Sequence, residues 1–428
     1  MKEHIARVKL LVFSSTAKDT YVLFIGNVLS AFWGFLFTLF VARALSVADF
    51  GIFSAAINLV NILVSLSDVG ISSGSVNFVS ANIAKGDNEK ANEYTKASFI
   101  LRFLIVISIS VLVVIFAPLI SPSLLATRDP KVAIWAAIVP IFLFPDMFFP
   151  AILQAKKKFL QSTVIDNVFY IGRLAFAFAF YLYGALTMSL AFLAFGIGFV
   201  IEVLLTIYYL KTDFWFSKPK KDEYVSLLKF SGWIGVNRVV SSISGKLDIQ
   251  MLAAMTGAIS TGLYSIPSRL ASFVIVLAGS FSSVLATRFA AFNNPEKERT
   301  YVLKSTLALL PIILGIILWI IFARPFMLIL FGEKYLGAVP VLQSLLIAQM
   351  PFLLTVPPVT AIIYAMKKTV YIGALSFVQI AAIFILNLYL IPKYGVFGPT
   401  ITFGVTNALI AVYVWYIVIK HYWFSKVD

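Results

Sequence analysis

The chain has 428 residues, of which 61% are hydrophobic and only 12% charged, so no water-soluble domain of this length can be covered by its polar surface. There is no cysteine, which excludes disulfides, thiolate metal sites and cysteine nucleophiles. The net charge of +15 is scattered over short loops between apolar runs, which argues against a nucleic-acid face and for topology signals. The composition predicts an all-α polytopic membrane protein. Its first nineteen residues are polar and basic without a cleavable signal pattern, and the next apolar run is already a full span. A span needs about 20 mainly apolar residues. Twelve follow in order, at 20–42, 51–84, 98–120, 131–153, 160–183, 187–210, 225–255, 261–291, 301–323, 337–365, 369–391 and 396–419. The second, eighth and tenth are long and are expected to tilt or to project beyond the bilayer. The loop at 211–224 (KTDFWFSKPKKDEY) reads as a linker between two six-helix lobes, 1–214 and 215–428.

With the N-terminus inside, 24 of the 34 Lys and Arg fall in cytoplasmic segments, 6 outside, and four, Arg173, Arg238, Lys246 and Arg269, within spans. The inside count takes in Arg102 as part of the loop before the third span. Such a bias places both termini in the cytoplasm of a cell-membrane protein.

The chain also repeats itself. Gly51-Ile-Phe-Ser-Ala-Ala-Ile-Asn-Leu59 recurs as Gly262-Leu-Tyr-Ser-Ile-Pro-Ser-Arg-Leu270, an offset of 211, and Tyr183-Gly184 matches Tyr394-Gly395 at the same offset. Six spans per half is an even number. The halves then enter the bilayer from one side and are related by an axis along its normal.

Charge within the spans marks the candidate site. A charged side chain at bilayer depth costs roughly 3 kcal/mol even on lenient scales, so it faces a bundle interior or a wet cavity. On a helical wheel Asn237, Ser241, Ser244 and Asp248 fall within about 40° of one another, with Arg238, Ser242, Gly245 and Lys246 beside them. Ser265, Arg269, Ser272, Gly279 and Ser283 trace a similar stripe on the next helix. With a turn near 256–260, Lys246 and Arg269 lie roughly 12–15 Å deep and Arg238 deeper. Three cations against the one acid, Asp248, favour a cavity that awaits an anion. The competing reading makes Asp248 an interhelical brace to Arg269 or Lys246. Arg173 and Asp166, two turns apart on the fifth span, either line the cavity or find partners elsewhere. Asp68 and Asp166 are the candidate coupling acids, with a capping role open to Asp68. Asp146 and Glu202 read as solvated or capping acids near helix ends. Arg43 and Asp49 bracket the first outer loop as a gate or a local ion pair.

Catalysis finds little support. The two histidines, His4 and His421, lie at the chain ends, away from any triad or metal site, and no G-x-x-x-x-G-K-[ST] offers ATP a place. No paired carboxylates stand at a water interface, so no enzyme activity and no cofactor are expected.

Arg43-Ala-Leu-Ser-Val-Ala-Asp-Phe-Gly51, the Ser67-Asp68-Val-Gly70 segment, and Asp248 followed by Gly262-Leu-Tyr-Ser265 and Arg269 resemble the polysaccharide and oligosaccharide-lipid flippases of the multidrug/oligosaccharidyl-lipid/polysaccharide exporter superfamily. The similarity runs over essentially the whole chain, in span number, loop pattern and pseudo-symmetry. It implies two six-helix lobes around a central alternating-access cavity and a polyprenyl-pyrophosphate oligosaccharide as substrate. Membrane lipids, and the polymerase and glycosyltransferases of surface polysaccharide assembly, would be the partners. Two departures stand out: the first span offers Asn27 where drug exporters carry a cation-binding acid, and the lipid II flippases have fourteen spans. A cation-coupled drug or metabolite exporter of the same superfamily and a non-transporting membrane scaffold are the rival readings.

Overall fold

The computed structural model describes residues 15–210, 212–292 and 294–424, which are helical almost throughout, with no strand among them. The expected side-chain roles of Asn237 and Ser241 lie outside the described residues. The helices are α1 (Ser15–Ala44), α2 (Val47–Asp68), α3 (Ile71–Ala84), α4 (Asn88–Ile115), α5 (Ala117–Leu124), α6 (Pro130–Ala155), α7 (Phe159–Leu182) and α8 (Met188–Leu210). After a 3-10 turn at Thr212–Phe216 come α9 (Lys221–Ser244), α10 (Leu247–Thr256), α11 (Ala258–Phe289), α12 (Pro295–Leu307), α13 (Leu310–Ile321) and α14 (Ala323–Phe331). Last are α15 (Val339–Tyr364), α16 (Thr369–Tyr394) and α17 (Gly398–Ile419).

Ten of the described helical stretches are long and apolar enough to cross a membrane. The last of them, Thr369–Phe424, takes in both spans expected at 369–391 and 396–419. The expected span 225–255 is not among the ten, because it is broken after Ser244 and carries charge at the break. The expected span 51–84 is likewise two helices, interrupted where Val69 and Gly70 take positive φ of 36° and 77°. The molecule is thus an all-helical membrane protein of about twelve spans, as composition required.

Two compact units emerge from the contacts: residues 1–46, 56–122 and 127–243, and residues 47–55, 123–126 and 244–428. They depart from the halves 1–214 and 215–428, because 47–55 pack with the second unit and α9 with the first. In unit 1 a phenylalanine-rich core gathers Phe144, Phe148 and Phe149 of α6 with Tyr94, Ile165, Phe214 and Leu227. The linker is fastened onto that core, where Lys96 Nζ donates to the Trp215 and Ser217 carbonyls at 2.6 and 2.7 Å. In unit 2, Leu252, Tyr264, Val341, Leu345 and Ile391 are packed together.

The sequence repeat is also a repeat of backbone conformation. Phe116, ahead of Ala117-Pro118, ends α4 with φ −92° and ψ 11°. Phe322, ahead of Ala323-Arg324-Pro325, ends α13 with φ −90° and ψ 9°. In both, a nearby proline cannot continue the preceding ladder. Gly184 and Gly395 close α7 and α16 in the left-handed region, with φ of 66° and 54°. In unit 2 the repeated glycines meet each other's helices reciprocally. A Cβ on Gly51 would strike the carbonyl of Ala258, four residues before Gly262, and one on Gly262 would strike the carbonyl of Val47, four residues before Gly51. Small residues here let two backbones approach closely.

Candidate functional site

In unit 1 the charged centre is built on the α2–α3 break. The left-handed turn at Val69-Gly70 fits only because α9 presents glycine: a Cβ on Gly235 would collide with the Val69 carbonyl, and one on Gly70 would lie 2.7 Å from that of Ser231. The break exposes the first amides of α3, and Asp68 Oδ1 accepts the Ser72 N–H at 2.9 Å. Asp68 Oδ2 accepts Arg238 Nη1 at 2.6 Å, and Arg102 Nε lies 3.7 Å from Oδ1. Arg102 Nη1 donates to Ser72 Oγ at 2.9 Å, while its Nε and Nη2 find no hydrogen-bond partner. Below them Ser242 Oγ donates to Ser65 Oγ at 2.7 Å.

Two guanidiniums therefore share one carboxylate, leaving an excess of one positive charge. The side chains of Arg102 and Asp68 are 0% and 4% exposed, whereas that of Arg238 is 49% exposed. Arg102 is thus a corrected expectation: it is a buried partner of Asp68, not a loop cation. The apolar flank Phe99-Ile-Leu-Arg102-Phe-Leu-Ile was the hint. For Asp68 the cap and the brace coincide.

Arg173, on α7, is buried among rings, with its guanidinium carbon 4.4 to 5.6 Å from the centroids of Phe37, Phe169, Tyr170 and Phe195. A cation in such an aromatic box is stabilised by the ring faces. A ligand would have to displace rings to reach it. Around it stand Asp146, Asp166 and Glu202, whose charges act on one another. Asp166 accepts the hydroxyl of Ser30. Asp146 and Glu202 are not helix-end acids as expected: they lie inside α6 and α8, and both Glu202 oxygens are fully buried without a partner.

In unit 2 the charged centre lies at the α9–α10 break. Lys246 leaves helical geometry (φ −131°, ψ −3°), and Asp248 enters the first turn of α10, where the helix dipole favours an acid. Its carboxylate accepts the Ile249 amide at 2.8 Å and the Tyr264 hydroxyl at 2.7 Å. Lys246 is acted on by the charges of both Arg269 and Asp248. A space of about 140 Å³ opens beside the break, its wall including Asp248, Tyr264, Gln379, Asn387 and Thr402. Asn387 is wholly buried with neither amide atom bonded, and the Thr402 hydroxyl is also unpaired. Unsatisfied oxygens and an amide nitrogen around such a space suit water. Among the described residues, no group of three His, Asp or Glu gathers that could hold a metal.

Of the expected residues, the structure thus brings Arg238 to Asp68 in unit 1, and Lys246, Asp248 and Arg269 together in unit 2. On α11 the serines of the expected stripe bond back to their own helix: Ser265 to Thr261 O, Ser272 to Arg269 O and Ser283 to Gly279 O. Arg43 ends α1 and Asp49 begins α2, both exposed. Tyr264 and Asn387, both uncharged, join the unit 2 centre without a charge to mark them in the sequence. Tyr264 sits in the repeated Gly-Leu-Tyr-Ser motif, and Asn387 is a lone amide in an apolar run.

The profile of a family described as polysaccharide biosynthesis protein matches residues 16–292. A Shigella flexneri protein named as a candidate O-antigen transporter is 24% identical over 285 residues, covering 65% of this chain. That match spans just under two thirds, 66%, of the relative's own length. Among solved structures, an inward-facing multidrug-resistance MATE transporter of the MOP superfamily superposes with a TM-score of 0.72 at 14% identity, over 92% of this chain and 94% of that one. The lipid II flippase MurJ in an inward closed conformation gives 0.71 at 16% identity, over 94% and 87%. A MOP superfamily transporter from Pyrococcus furiosus, whose binding pocket is described as of reversed polarity, gives 0.60 at 13% identity, over 94% of each chain. At such identities these likenesses establish the fold.

Proposed function

Because the chain belongs to the polysaccharide biosynthesis protein family, we propose that it is a flippase. It passes a polyprenyl-pyrophosphate oligosaccharide from the inner to the outer leaflet of the cell membrane for surface polysaccharide assembly. The observation that carries this reading is the gathering of cations at two breaks within the apolar helices. Arg102 and Arg238 share the single carboxylate of Asp68, and the charges of Arg269 and Asp248 both act on Lys246. Such centres favour an anionic head group over a cationic drug. The similarity to a candidate O-antigen transporter and the fold shared with a lipid II flippase point the same way.

In this reading the half-exposed Arg238 of unit 1 grips a phosphate through its planar fork, and in unit 2 Lys246 and Arg269 make a second cationic centre. Asp68 holds Arg238 until the head group arrives and takes it back on release, the step by which it would couple; Asp166 is the second coupling acid. Asn237 and Asp248 border the path, Arg173 stands behind its rings, and Arg43 and Asp49 are gate residues. Alternating access exposes the site to each leaflet in turn while the lipid tail stays in the bilayer. Both termini are cytoplasmic, and the polymerase and glycosyltransferases of the pathway are the working partners. The membrane potential can supply the drive, because each negative charge moved outward across an inside-negative potential releases about 2.3 kcal/mol per 100 mV.

The test is transport in liposomes of purified protein loaded with a short polyprenyl-pyrophosphate disaccharide, read by enzymatic access to the sugar. Wild type is expected to expose the sugar faster than protein-free liposomes, and faster still under a potassium-diffusion potential; Arg238→Ala should abolish the gain. Exposure no faster than in protein-free liposomes would overturn the reading.

A further inference from the structure

The turns that precede α7 and α16 are copies. Lys157 and Lys367 take left-handed φ of 58° and 56°. Lys158 and Lys368 then open the helices with φ −94°, ψ 58° and φ −101°, ψ 55°. Their surroundings differ. In unit 1 the turn is answered by the chain itself: Lys158 Nζ donates to the Tyr209 carbonyl at 3.0 Å, near the end of α8. Burial and the neighbouring Lys158 push the Lys156 ammonium below its ordinary value, and Asp213 of the following turn opposes them.

In unit 2 the corresponding place is a cavity of about 400 Å³, within the size range of small-molecule sites. Its wall carries Lys368, Lys420 and His421 with the phenols of Tyr371, Tyr413 and Tyr416, and none of the residues lining it is acidic. The acid that His421 does feel, Glu298, is outside the wall and accepts the Tyr422 hydroxyl at 2.7 Å. Tyr413, Tyr416, Lys420 and His421 form one stripe at helical spacing, carried past the end of α17 by a π-helical turn at Lys420–Phe424. Lys368 makes no side-chain cap bond at the start of α16, and the positive end of that helix adjoins the cavity wall at Lys368 and Tyr371. Exposed Val370, Val412 and Tyr416 put apolar surface beside the cationic wall, as at a membrane–water interface.

We propose that this cavity binds the head-group phosphate of an anionic phospholipid. Lys368 and Lys420 supply the charge, the tyrosine hydroxyls and α16 amides donate to the phosphate oxygens, and the acyl chains lie along α17 past Val412. The inference stands on the membrane fold and not on the transport reading, because lipid retention is measured without transport substrate.

The test is native mass spectrometry of the full chain exchanged from phosphatidylglycerol-containing detergent into lipid-free detergent. Wild type is expected to keep one more phosphatidylglycerol than the Lys368→Gln/Lys420→Gln variant, with retention about tenfold weaker in the variant. The control, Lys297→Gln/Lys304→Gln, removes two lysines from another cavity of unit 2 and should retain the lipid as wild type does. Wild type should also prefer phosphatidylglycerol to phosphatidylcholine of equal chain length, a comparison that stands even if the double variant fails to fold. Equal retention of the two lipids, equal loss in the control, or displacement of the lipid by millimolar inorganic phosphate would each overturn the proposal.

Discussion

The two charged centres reach the same balance, two cations to one acid, by different means. In unit 1 the acid is held by the cations themselves, with Asp68 between Arg238 and Arg102. In unit 2 the acid is held by neutral donors, the Tyr264 hydroxyl and its own helix's Ile249 amide. Charge held by charge is costly to break in a dry interior, because the partner left behind has no water to turn to. A carboxylate held by a phenol loses one hydrogen bond when the phenol is removed. Unit 1 thus holds its acid by ion pairs, whereas unit 2 holds its acid by hydrogen bonds from neutral groups, with Lys246 close enough for its charge to act on Asp248.

The largest effect expected is from Asp68→Ala, which leaves the fully buried Arg102 without its carboxylate and should cost roughly 3–5 kcal/mol. Thermal unfolding in detergent should show a large loss or no folded protein, and a melting temperature close to wild type would break the comparison. Next comes Tyr264→Phe, which keeps the ring packed in the unit 2 core but deprives Asp248 of a donor, at about 1–3 kcal/mol. Arg238→Ala should cost about 1 kcal/mol or less, because its side chain is half exposed and Asp68 keeps Arg102. Transport, by contrast, should vanish in that variant. A variant that lost stability and transport in proportion would make Arg238 a brace only.

How far these centres could be read beforehand follows from the range over which each interaction acts. Spans, the repeat and the turn at Gly257 are written in local composition and periodicity, and they are legible. So is the neighbourhood of Lys246, Asp248 and Arg269, which lie close to one another in the sequence order of the helices. Arg238 and Asp68 are 170 residues apart, and their meeting depends on two glycines, Gly70 and Gly235, that allow a close crossing. No period announces that. Arg102 was hidden for a different reason: a cation near the start of a span looks like a topology signal until the burial of its neighbours is known. Asp146 and Glu202 read as helix-end acids because an acid inside an apolar run is assumed to find an end, whereas both lie inside their helices, where the Arg173 charge acts on Asp146.

The smallest effect expected sharpens the comparison at the water edge of unit 1, where charge again meets charge. The Glu223 carboxyl is buried, which would raise its titration, but Lys90 and the Lys220 amide outweigh burial and hold it below the ordinary value. A carboxyl that titrates lower when folded stabilises the protein above its unfolded value, and that contribution is lost as the pH falls through the depressed one. Glu223→Gln should therefore lower the melting temperature slightly at pH 7, by the equivalent of about 1 kcal/mol or less. The gap from wild type should close as the pH drops into the carboxylate range. A gap that stayed constant from pH 7 to acid would show that Glu223 acts by shape and not by charge.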